Sequence, residues 1–259
     1  MTDPLYAPQP SGVTPPPGSR LLDRLLHALL PAPCLGCGEP LPAARSPLGL
    51  CGRCRAALAT PLRQACAVCA RPLAAWALPA DYRCGACRES PPAFDRLLAL
   101  WSYQPPLDAV VRGLKFGRLD YLGSHLAAAL VEGLGDRLAG FDRVVPVPLH
   151  WRRRLARGYN QAERIARPLS GLLGLPCAPA LRRRRATPPQ SLQGRAARLT
   201  NLRKAFQVPR PERVHGLRIL LVDDVATTGA TLDAAAAALR KAGAATVTAL
   251  VAGRTPLNP

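Results

Sequence analysis

The stretch at residues 219–232 limits the possible folds of this chain more than any other feature. A short apolar run ends in two adjacent carboxylates, Asp223 and Asp224, and small and hydroxylated residues then lead into an alanine-rich helix that opens at about Ala230. A strand, a tight turn and a helix N-terminus in this order form a cradle for a phosphate, because the N–H groups and the positive end of the helix dipole face the anion. The alternative interpretation is a buried strand whose Asp pair only caps the next helix. Ligands of open α/β sheets bind at the carboxyl ends of strands, so the sequence favours an anion site.

Eight of the nine cysteines form four Cys-x-x-Cys pairs, which are Cys34/Cys37, Cys51/Cys54, Cys66/Cys69 and Cys84/Cys87. Two such pairs about a dozen residues apart supply the four thiolates of a tetrahedral zinc site, so four pairs predict two zinc sites. A sequential pairing and an interleaved pairing use the same residues, and both are open. A redox dithiol normally occurs once, beside a βαβ unit, and an iron–sulfur cluster is a further alternative. Because few apolar residues lie in this stretch, we expect metal binding to supply most of its folding free energy.

The chain divides into three parts by composition. Residues 1–20 are rich in proline and predict a disordered tail. Residues 21–90 hold a short amphipathic helix, which docks on the zinc module or lies on a membrane surface, followed by the cysteine pairs. The helix is too short and too charged for a membrane span or a signal sequence, so we expect a cytoplasmic location. That reducing compartment favours metal binding by the cysteines over disulfides.

From residue 91 to residue 259 the sequence alternates between strand and helix patterns. Strands are predicted at 97–103, 144–148, 217–223 and 246–252, and helices at 106–116, 121–138, from about 161 to 173, and 230–242. This alternation predicts an α/β domain in which helices flank a parallel sheet.

The formal net charge of +19 predicts a polyanionic partner, which is a phosphate compound, a nucleic acid or an anionic membrane surface. A GC-rich genome also inflates arginine content, but the arginines here are clustered. One cluster lies in the strand-to-helix crossing at 150–161, which predicts a pyrophosphate site or a solvated basic turn. Another lies in the long polar segment at 181–206, which suits a lid over bound substrate. The pyrophosphate and lid candidates are Arg153, Arg157, Gln161, Arg182, Gln190 and Arg198.

The Asp-Asp-Val-Ala-Thr-Thr-Gly-Ala-Thr loop resembles the phosphoribosyl-pyrophosphate loop of type I phosphoribosyltransferases. Over residues 33–255, the zinc knuckles, Leu114-Lys115-Phe116, the Arg-Gly-Tyr-Asn-Gln motif at 157–161 and this loop together resemble the ComF family of competence and gluconate-utilisation-type proteins. The resemblance implies a type I phosphoribosyltransferase-like sheet preceded by a small double zinc-ribbon module. It also implies that Asp223 and Asp224 hold the ribose hydroxyls and that the loop holds the 5-phosphate of phosphoribosyl pyrophosphate, bound with Mg²⁺. The loop residues are Val225, Ala226, Thr227, Thr228, Gly229, Ala230 and Thr231.

The ComF resemblance further implies a role in natural competence, in which the protein handles single-stranded DNA during uptake with a DNA-uptake helicase or channel protein as partner. The alternative is an active phosphoribosyltransferase with an unidentified acceptor in nucleotide or related metabolism, because fold resemblance is only analogy for function. Trp151 and Tyr159 lie within the first arginine cluster and are expected to stack on bases. The residues expected to contact DNA are Lys115, Trp151, Arg152, Arg154, Arg183, Arg184 and Arg185.

Overall fold

The computed structural model describes residues 32–41, 46–58, 64–73, 78–183 and 205–256, without the side chain of Arg152. The predicted tail, the predicted amphipathic helix and residues 184–204 of the predicted lid lie outside these ranges. The α-helices of the described residues are α1 Gly52–Ala57, α2 Gly85–Glu89, α3 Leu107–Phe116, α4 Leu122–Leu134, α5 Trp151–Arg157, α6 Gln161–Leu173 and α7 Ala230–Lys241. Short 3-10 helices span Pro47–Gly49, Gly135–Leu138 and Pro211–Arg213. The strands are β1 Arg96–Ser102, β2 Arg143–Pro146, β3 Arg182–Arg183, β4 Phe206–Gln207, β5 Arg218–Val222, β6 Val225–Ala226 and β7 Thr246–Arg254.

The predicted parallel sheet is confirmed. Its strand order is β1-β7-β5-β2, and the short strand β6 pairs with the end of β7. Every one of these pairings is parallel. The carboxyl ends of the strands therefore lie along one edge, and the two acids that follow β5 lie between β7 and β2 at that edge.

Alternating residues of the strands face two apolar layers. In β5, Leu220 and Val222 face the layer that contains α3, α4 and α6, whereas Ile219 and Leu221 face the layer that contains α7. Both faces of the sheet are thus covered by helices, which explains why β5 reads as a continuous apolar run. In α3, the buried residues Leu107, Val110, Val111 and Leu114 recur at helical spacing.

Helices α4 and α6 approach each other closely at Gly123. A Cβ atom at this position would meet the carbonyl oxygen of Arg164 at 2.3 Å. Helix α6 is positioned at its start by Asn160, whose side chain accepts a hydrogen bond from the amide of Ala162, and it ends at Gly174 in the left-handed conformation. None of the helices in the described ranges is long and apolar enough to cross a membrane.

The arginine-rich segment between β2 and α6, predicted as a strand-to-helix crossing that forms a pyrophosphate site or a solvated basic turn, contains helix α5. Arginine, leucine and alanine have high helix propensity, and the helix stops at Gly158, whose φ of +80° favours glycine. The amides of Arg154 and Gly158 donate to the carbonyl oxygens of His150 and Arg154. These two amides are therefore already hydrogen-bonded and do not bind an anion. A polyanion would contact the guanidinium groups of α5.

The two cysteine modules contact opposite faces of the α/β domain. Leu48 and Leu50 of the first module are buried in the same apolar cluster as α3, α4 and α6. The amide of Leu48 also donates to Nδ1 of His125 in α4, at 3.2 Å. Ala70 of the second module packs into the cluster on the α7 side. Burial of leucine against the shared core thus adds to any stabilisation of the first module by metal, beyond what its composition led us to expect.

Candidate functional site

The loop after β5 presents free amides at the start of α7. Gly229, with φ of +83°, occupies the N-cap position, and the amide of Ala230 donates to Oγ1 of Thr228 at 3.3 Å. Within the described part of the chain, the amides of Thr227, Thr228 and Gly229 donate no hydrogen bond to another residue. Three consecutive N–H groups beside the positive end of a helix dipole can hold an oxyanion such as a phosphate.

The two acids beside this loop have different surroundings. The Asp224 carboxylate is buried, with Nζ of Lys115 at 2.5 Å from Oδ2 and Nε2 of Gln161 donating to Oδ1 at 3.4 Å. The half-buried Asp223 accepts a hydrogen bond from the amide of Asp224 at 2.9 Å. Burial and the adjacent Asp224 carboxylate raise the pKa of Asp223 well above its ordinary value, and the Lys115 cation opposes this shift. A ligand that donates hydroxyl hydrogen bonds to these carboxylates would relieve their repulsion.

The Arg-Gly-Tyr-Asn-Gln motif connects this acid pair to the Leu-Lys-Phe motif at the end of α3. Nη1 of Arg157 donates to Oε1 of Gln161 at 3.2 Å, and the guanidinium lies 4.7 Å from the centre of the exposed Phe116 ring. The hydroxyl of Tyr159 donates to the carbonyl oxygen of Leu114. Nδ2 of Asn160 donates to the carbonyl oxygen of Val147, at the carboxyl end of β2, at 3.0 Å. The fold therefore gathers three sequence-distant motifs around one carboxylate.

Arg157 is a partly desolvated cation in this site. Burial lowers its pKa, while the nearby carboxylate of Asp224 opposes that effect and the neighbouring Arg153 adds to it. A desolvated guanidinium is a strong partner for a phosphate group, because little water must be removed when the ion pair forms.

The eight paired cysteines form two clusters, and the sequential pairing is the one observed. Within each cluster the four sulfur atoms lie within 4.8 Å of one another. Sγ atoms of Cys37 and Cys51 are 3.8 Å apart, as are those of Cys69 and Cys84. Four sulfurs at about 2.3 Å from a tetrahedral zinc ion stand about 3.8 Å from one another, so both clusters fit zinc.

Hydrogen bonds from backbone amides lower the pKa of one cysteine thiol in each cluster. Burial alone would raise the pKa of Cys34, but hydrogen bonds from the amides of Cys51, Cys37 and Gly36 lower it to about 6. At Cys66 the same opposition between burial and backbone hydrogen bonds lowers the pKa to about 7. Zinc binds thiolates, so these hydrogen bonds favour the state that binds the metal.

Two family models match the chain, one over the cysteine modules and one over the α/β domain that contains the phosphate loop. A double zinc ribbon domain matches residues 25–88, and a phosphoribosyl transferase domain matches residues 155–255. The DNA utilization protein YhgH of Salmonella typhi is 39% identical over 167 residues, which cover 61% of this chain and 72% of that protein. Its namesake in Escherichia coli (strain K12) is 37% identical over 165 residues, with the same coverage. Competence protein F of Haemophilus influenzae is 31% identical over 159 residues, which cover 59% of this chain and 69% of that protein.

The chain belongs to the ComF family. The expected fold, a phosphoribosyltransferase-like parallel sheet with an N-terminal double zinc ribbon, is thereby confirmed. Among solved structures, the allosteric regulatory enzyme of purine biosynthesis gives a TM-score of 0.39 at 21% identity, over 54% of this chain and 29% of that chain.

The residues expected to contact DNA in this ComF protein lie in different settings. Trp151 is 57% exposed on α5, next to the exposed Arg153 and Arg154. Tyr159 is half-buried and packs against the core, so its ring is less open to a base than that of Trp151. Arg183 is also half-buried, with its guanidinium 5.4 Å from the centre of the Phe206 ring.

Of the remaining predicted site residues, two have side chains within the described part of the structure and the others do not. Arg182 is exposed in β3, which pairs antiparallel with β4. Lys115, expected to contact DNA, lies beside the acid pair. Residues outside the described ranges are Arg184, Arg185, Gln190 and Arg198, together with the side chain of Arg152.

Arg254, the last residue of β7, is a site residue that no sequence pattern singled out. Its side chain is buried, at 1% exposure for the residue, and its guanidinium donates to backbone carbonyl oxygens of the second cysteine module and of the phosphate loop. The only local signal was an arginine at the end of an otherwise apolar strand, and such a residue is also typical of a strand that simply reaches solvent.

Proposed function

We propose that this ComF protein binds phosphoribosyl pyrophosphate with Mg²⁺ at the loop after β5 and uses the bordering basic helix α5 to handle single-stranded DNA in natural competence. The binding of phosphoribosyl pyrophosphate, at what we call the nucleotide site, is supported by one observation. The free amides of Thr227, Thr228 and Gly229 lie beside two carboxylates at the same sheet edge. The amides suit the 5-phosphate, and the carboxylates suit the two ribose hydroxyls.

Cations around the acid pair suit the rest of such a ligand. Lys115 contacts Asp224, and Arg157 reaches the same carboxylate through Gln161. We therefore assign Lys115 to the nucleotide site, where it can stabilise negative charge on the pyrophosphate. Mg²⁺ prefers carboxylate and phosphate oxygens, and it would enter with the pyrophosphate while Asp223 and Asp224 offer protein oxygens.

The test of the nucleotide site compares the wild type with Asp223→Asn/Asp224→Asn. Phosphoribosyl pyrophosphate and Mg²⁺ at about a hundred times the dissociation constant should stabilise the wild type by about 2.7 kcal/mol, which is a readable shift of the melting temperature. The double variant should lose the shift and the heat of binding in calorimetry, because its amide groups no longer accept two charge-assisted hydrogen bonds from the ribose.

A matched control separates recognition from general electrostatics. Glu132→Gln/Asp136→Asn removes two exposed acids from the region around the end of α4, so it changes the net charge by the same amount. We expect this control to bind as the wild type does. Equal melting shifts in the wild type and in Asp223→Asn/Asp224→Asn would refute the site.

The DNA part of the proposal rests on the exposed face of α5. Trp151, Arg153 and Arg154 are exposed there, and the helix ends at Arg157, which contacts the nucleotide site. The Trp151 ring among these guanidinium groups suits single-stranded DNA. The bases of such DNA stack on aromatic residues, and its phosphates pair with cations. Competence protein F is among the relatives of this chain, and a competence role is consistent with such a surface.

Fluorescence anisotropy with labelled single-stranded DNA tests this surface. Binding should weaken with salt, by about 0.7 in log–log slope for each neutralised phosphate. Arg153→Ala/Arg154→Ala should reduce both affinity and slope. The control Arg210→Ala/Arg213→Ala removes the same charge just before the amino end of β5, at the opposite edge of the sheet, and should bind as the wild type does. Equal losses in both variants would show a diffuse charge effect and refute the surface on α5.

Phosphoribosyl transfer is the second candidate function, and the position of Arg157 favours it. Departure of pyrophosphate from the ribose leaves negative charge on the leaving group, which a desolvated guanidinium beside the acid pair can stabilise. A pyrophosphate-release assay with phosphoribosyl pyrophosphate, Mg²⁺ and a panel of nucleobases, amines and DNA ends tests this candidate. Release that requires an acceptor and is lost in Asp223→Asn/Asp224→Asn would make the protein an enzyme.

A further inference from the structure

Arg254 joins the second cysteine cluster to the phosphate loop. Nε donates to the carbonyl oxygen of Cys69 at 3.0 Å, and Nη1 donates to the carbonyl oxygen of Ala226 at 2.9 Å and to that of Thr227. A buried guanidinium must satisfy its donors with protein acceptors, and here the acceptors come from two segments more than 150 residues apart in the sequence.

These contacts determine which way the loop amides point. In a trans peptide the carbonyl oxygen of one residue and the N–H of the next point in opposite directions. The carbonyl oxygen of Ala226 also accepts a hydrogen bond from the amide of Thr255 at 3.0 Å, whereas that of Thr227 is held by Arg254. With both oxygens held in this way, the N–H groups of Thr227 and Thr228 are turned away from Arg254. These two belong to the run of loop amides, Thr227 to Gly229, that donate no hydrogen bond to another described residue. Arg254 therefore orients the amide of Thr228, and it shares the orientation of the Thr227 amide with Thr255.

The contact between the second cysteine module and the loop is otherwise loose. A cavity of about 440 Å³ lies between them, lined on one side by Cys69 and Cys87 and on the other by Thr228 and Gly229. Arg254 lines the same cavity. Close packing is interrupted here, and the hydrogen bonds of Arg254 join the two sides of the gap.

Zinc bound by the second cluster would restrict the conformation of Cys69, whose carbonyl oxygen is the acceptor on the module side. The first cysteine cluster packs on the opposite face of the sheet, against α3 and α4. An effect of metal on the loop should therefore come from the second cluster.

We propose that Arg254 is a positioning residue that couples the second zinc site to the phosphate loop, so that an intact second site favours the binding-competent loop and a bound ligand in turn protects that site. The inference rests on the proposed binding of phosphoribosyl pyrophosphate at the loop. Coupling between two sites is reciprocal, so the effect of ligand on the zinc site measures the same free energy as the effect of zinc on the ligand.

The decisive experiment uses the zinc-loaded full-length chain. Cysteines are alkylated in the presence of a chelator that takes Zn²⁺ but not Mg²⁺, and peptide mass spectrometry follows each cluster separately with and without phosphoribosyl pyrophosphate and Mg²⁺. In the wild type, ligand should slow alkylation of Cys66, Cys69, Cys84 and Cys87 at least about fivefold and leave the rate for the first cluster unchanged. Equal protection of both clusters, or of neither, would overturn the inference.

Arg254→Met then tests the residue itself. It should bind the ligand at least about fivefold more weakly and should lose the ligand-dependent protection of the second cluster, whereas Arg254→Lys should restore part of both because it keeps a buried donor. Arg218→Met is the matched control, since Arg218 lies at the amino end of β5 and pairs with Asp142. Wild-type affinity and wild-type protection in Arg254→Met would overturn the role of Arg254. Should Arg254→Met fail to fold, Arg254→Lys decides, and it must then show weaker ligand binding and weaker protection of the second cluster than the wild type.

Calorimetry on the wild type separates this inference from the proposed function. Absence of any binding heat with phosphoribosyl pyrophosphate and Mg²⁺ would refute the nucleotide site. Binding without selective protection of the second cluster would refute only the coupling through Arg254.

Discussion

The ion pair between Lys115 and Asp224 should be a large single contribution to stability at the sheet edge. The two side chains are 23% and 4% exposed, and their charged atoms are 2.5 Å apart. In Lys115→Met the carboxylate stays buried without its cation. Removing one partner of a buried pair costs about 3–5 kcal/mol, and because Lys115 is partly exposed we expect about 3 kcal/mol. The hydrogen bond from Gln161 is weak at 3.4 Å and offsets little of this cost.

Urea unfolding of a double-mutant cycle measures the pair. Asp224→Asn should cost about 1 kcal/mol, since the freed Lys115 ammonium can reach water. The double variant Lys115→Met/Asp224→Asn should be about 2 kcal/mol more stable than the sum of the single effects predicts, because residues in direct contact are not additive. The control is Arg112→Met in the same helix. Its ion pair with Asp108 is largely exposed on the arginine side, and its loss should cost under about 0.5 kcal/mol.

Two results would refute this reasoning about the Lys115–Asp224 pair. One is a cost for Lys115→Met no greater than that for Arg112→Met. The other is additivity of the two single substitutions, which would mean that the charges do not interact in the folded protein.

Three further predictions follow from the packing, the surface charge and the cysteine clusters. Gly123→Ala should destabilise the fold by about 1–3 kcal/mol because its Cβ meets the α6 backbone, whereas Gly171→Ala, with open space at its Cβ, should stabilise it by up to about 1 kcal/mol; urea unfolding of both tests this contrast. Hydrogen bonds and charge from Arg218 lower the pKa of Asp142 to about 2, so its stabilising effect is present above the ordinary pKa and is lost as pH falls through about 2. The difference in melting temperature between the wild type and Asp142→Asn should therefore shrink between about pH 4 and pH 2, and a constant difference would contradict the assignment. Metal analysis should find two zinc ions per chain and one in Cys34→Ser/Cys37→Ser, and retention of both ions in that variant would contradict the cluster assignment.

Local sequence determined the elements and the chemistry of each motif in this ComF protein. The apolar run at 219–222 predicted a buried strand, and Asp223 and Asp224 fall directly after β5 as expected. Cys-x-x-Cys spacing predicted two clusters of four thiols because both cysteines of a knuckle lie within one tight turn. These features depend on residues a few positions apart, so they can be predicted from hydrophobic periodicity and residue spacing.

Only the tertiary structure decided which motifs meet. Parallel strands joined by crossover connections bring their carboxyl ends to one edge, so Gln161 reaches Asp224 across 63 residues of sequence. The choice between sequential and interleaved cysteine pairing, the exposure of Trp151 and the burial of Arg254 likewise depend on what packs beside each residue. Arg254 and Cys69 are 185 residues apart. No local pattern records such a contact, because its free energy arises from burying the guanidinium among carbonyl oxygens that come together only in the folded chain.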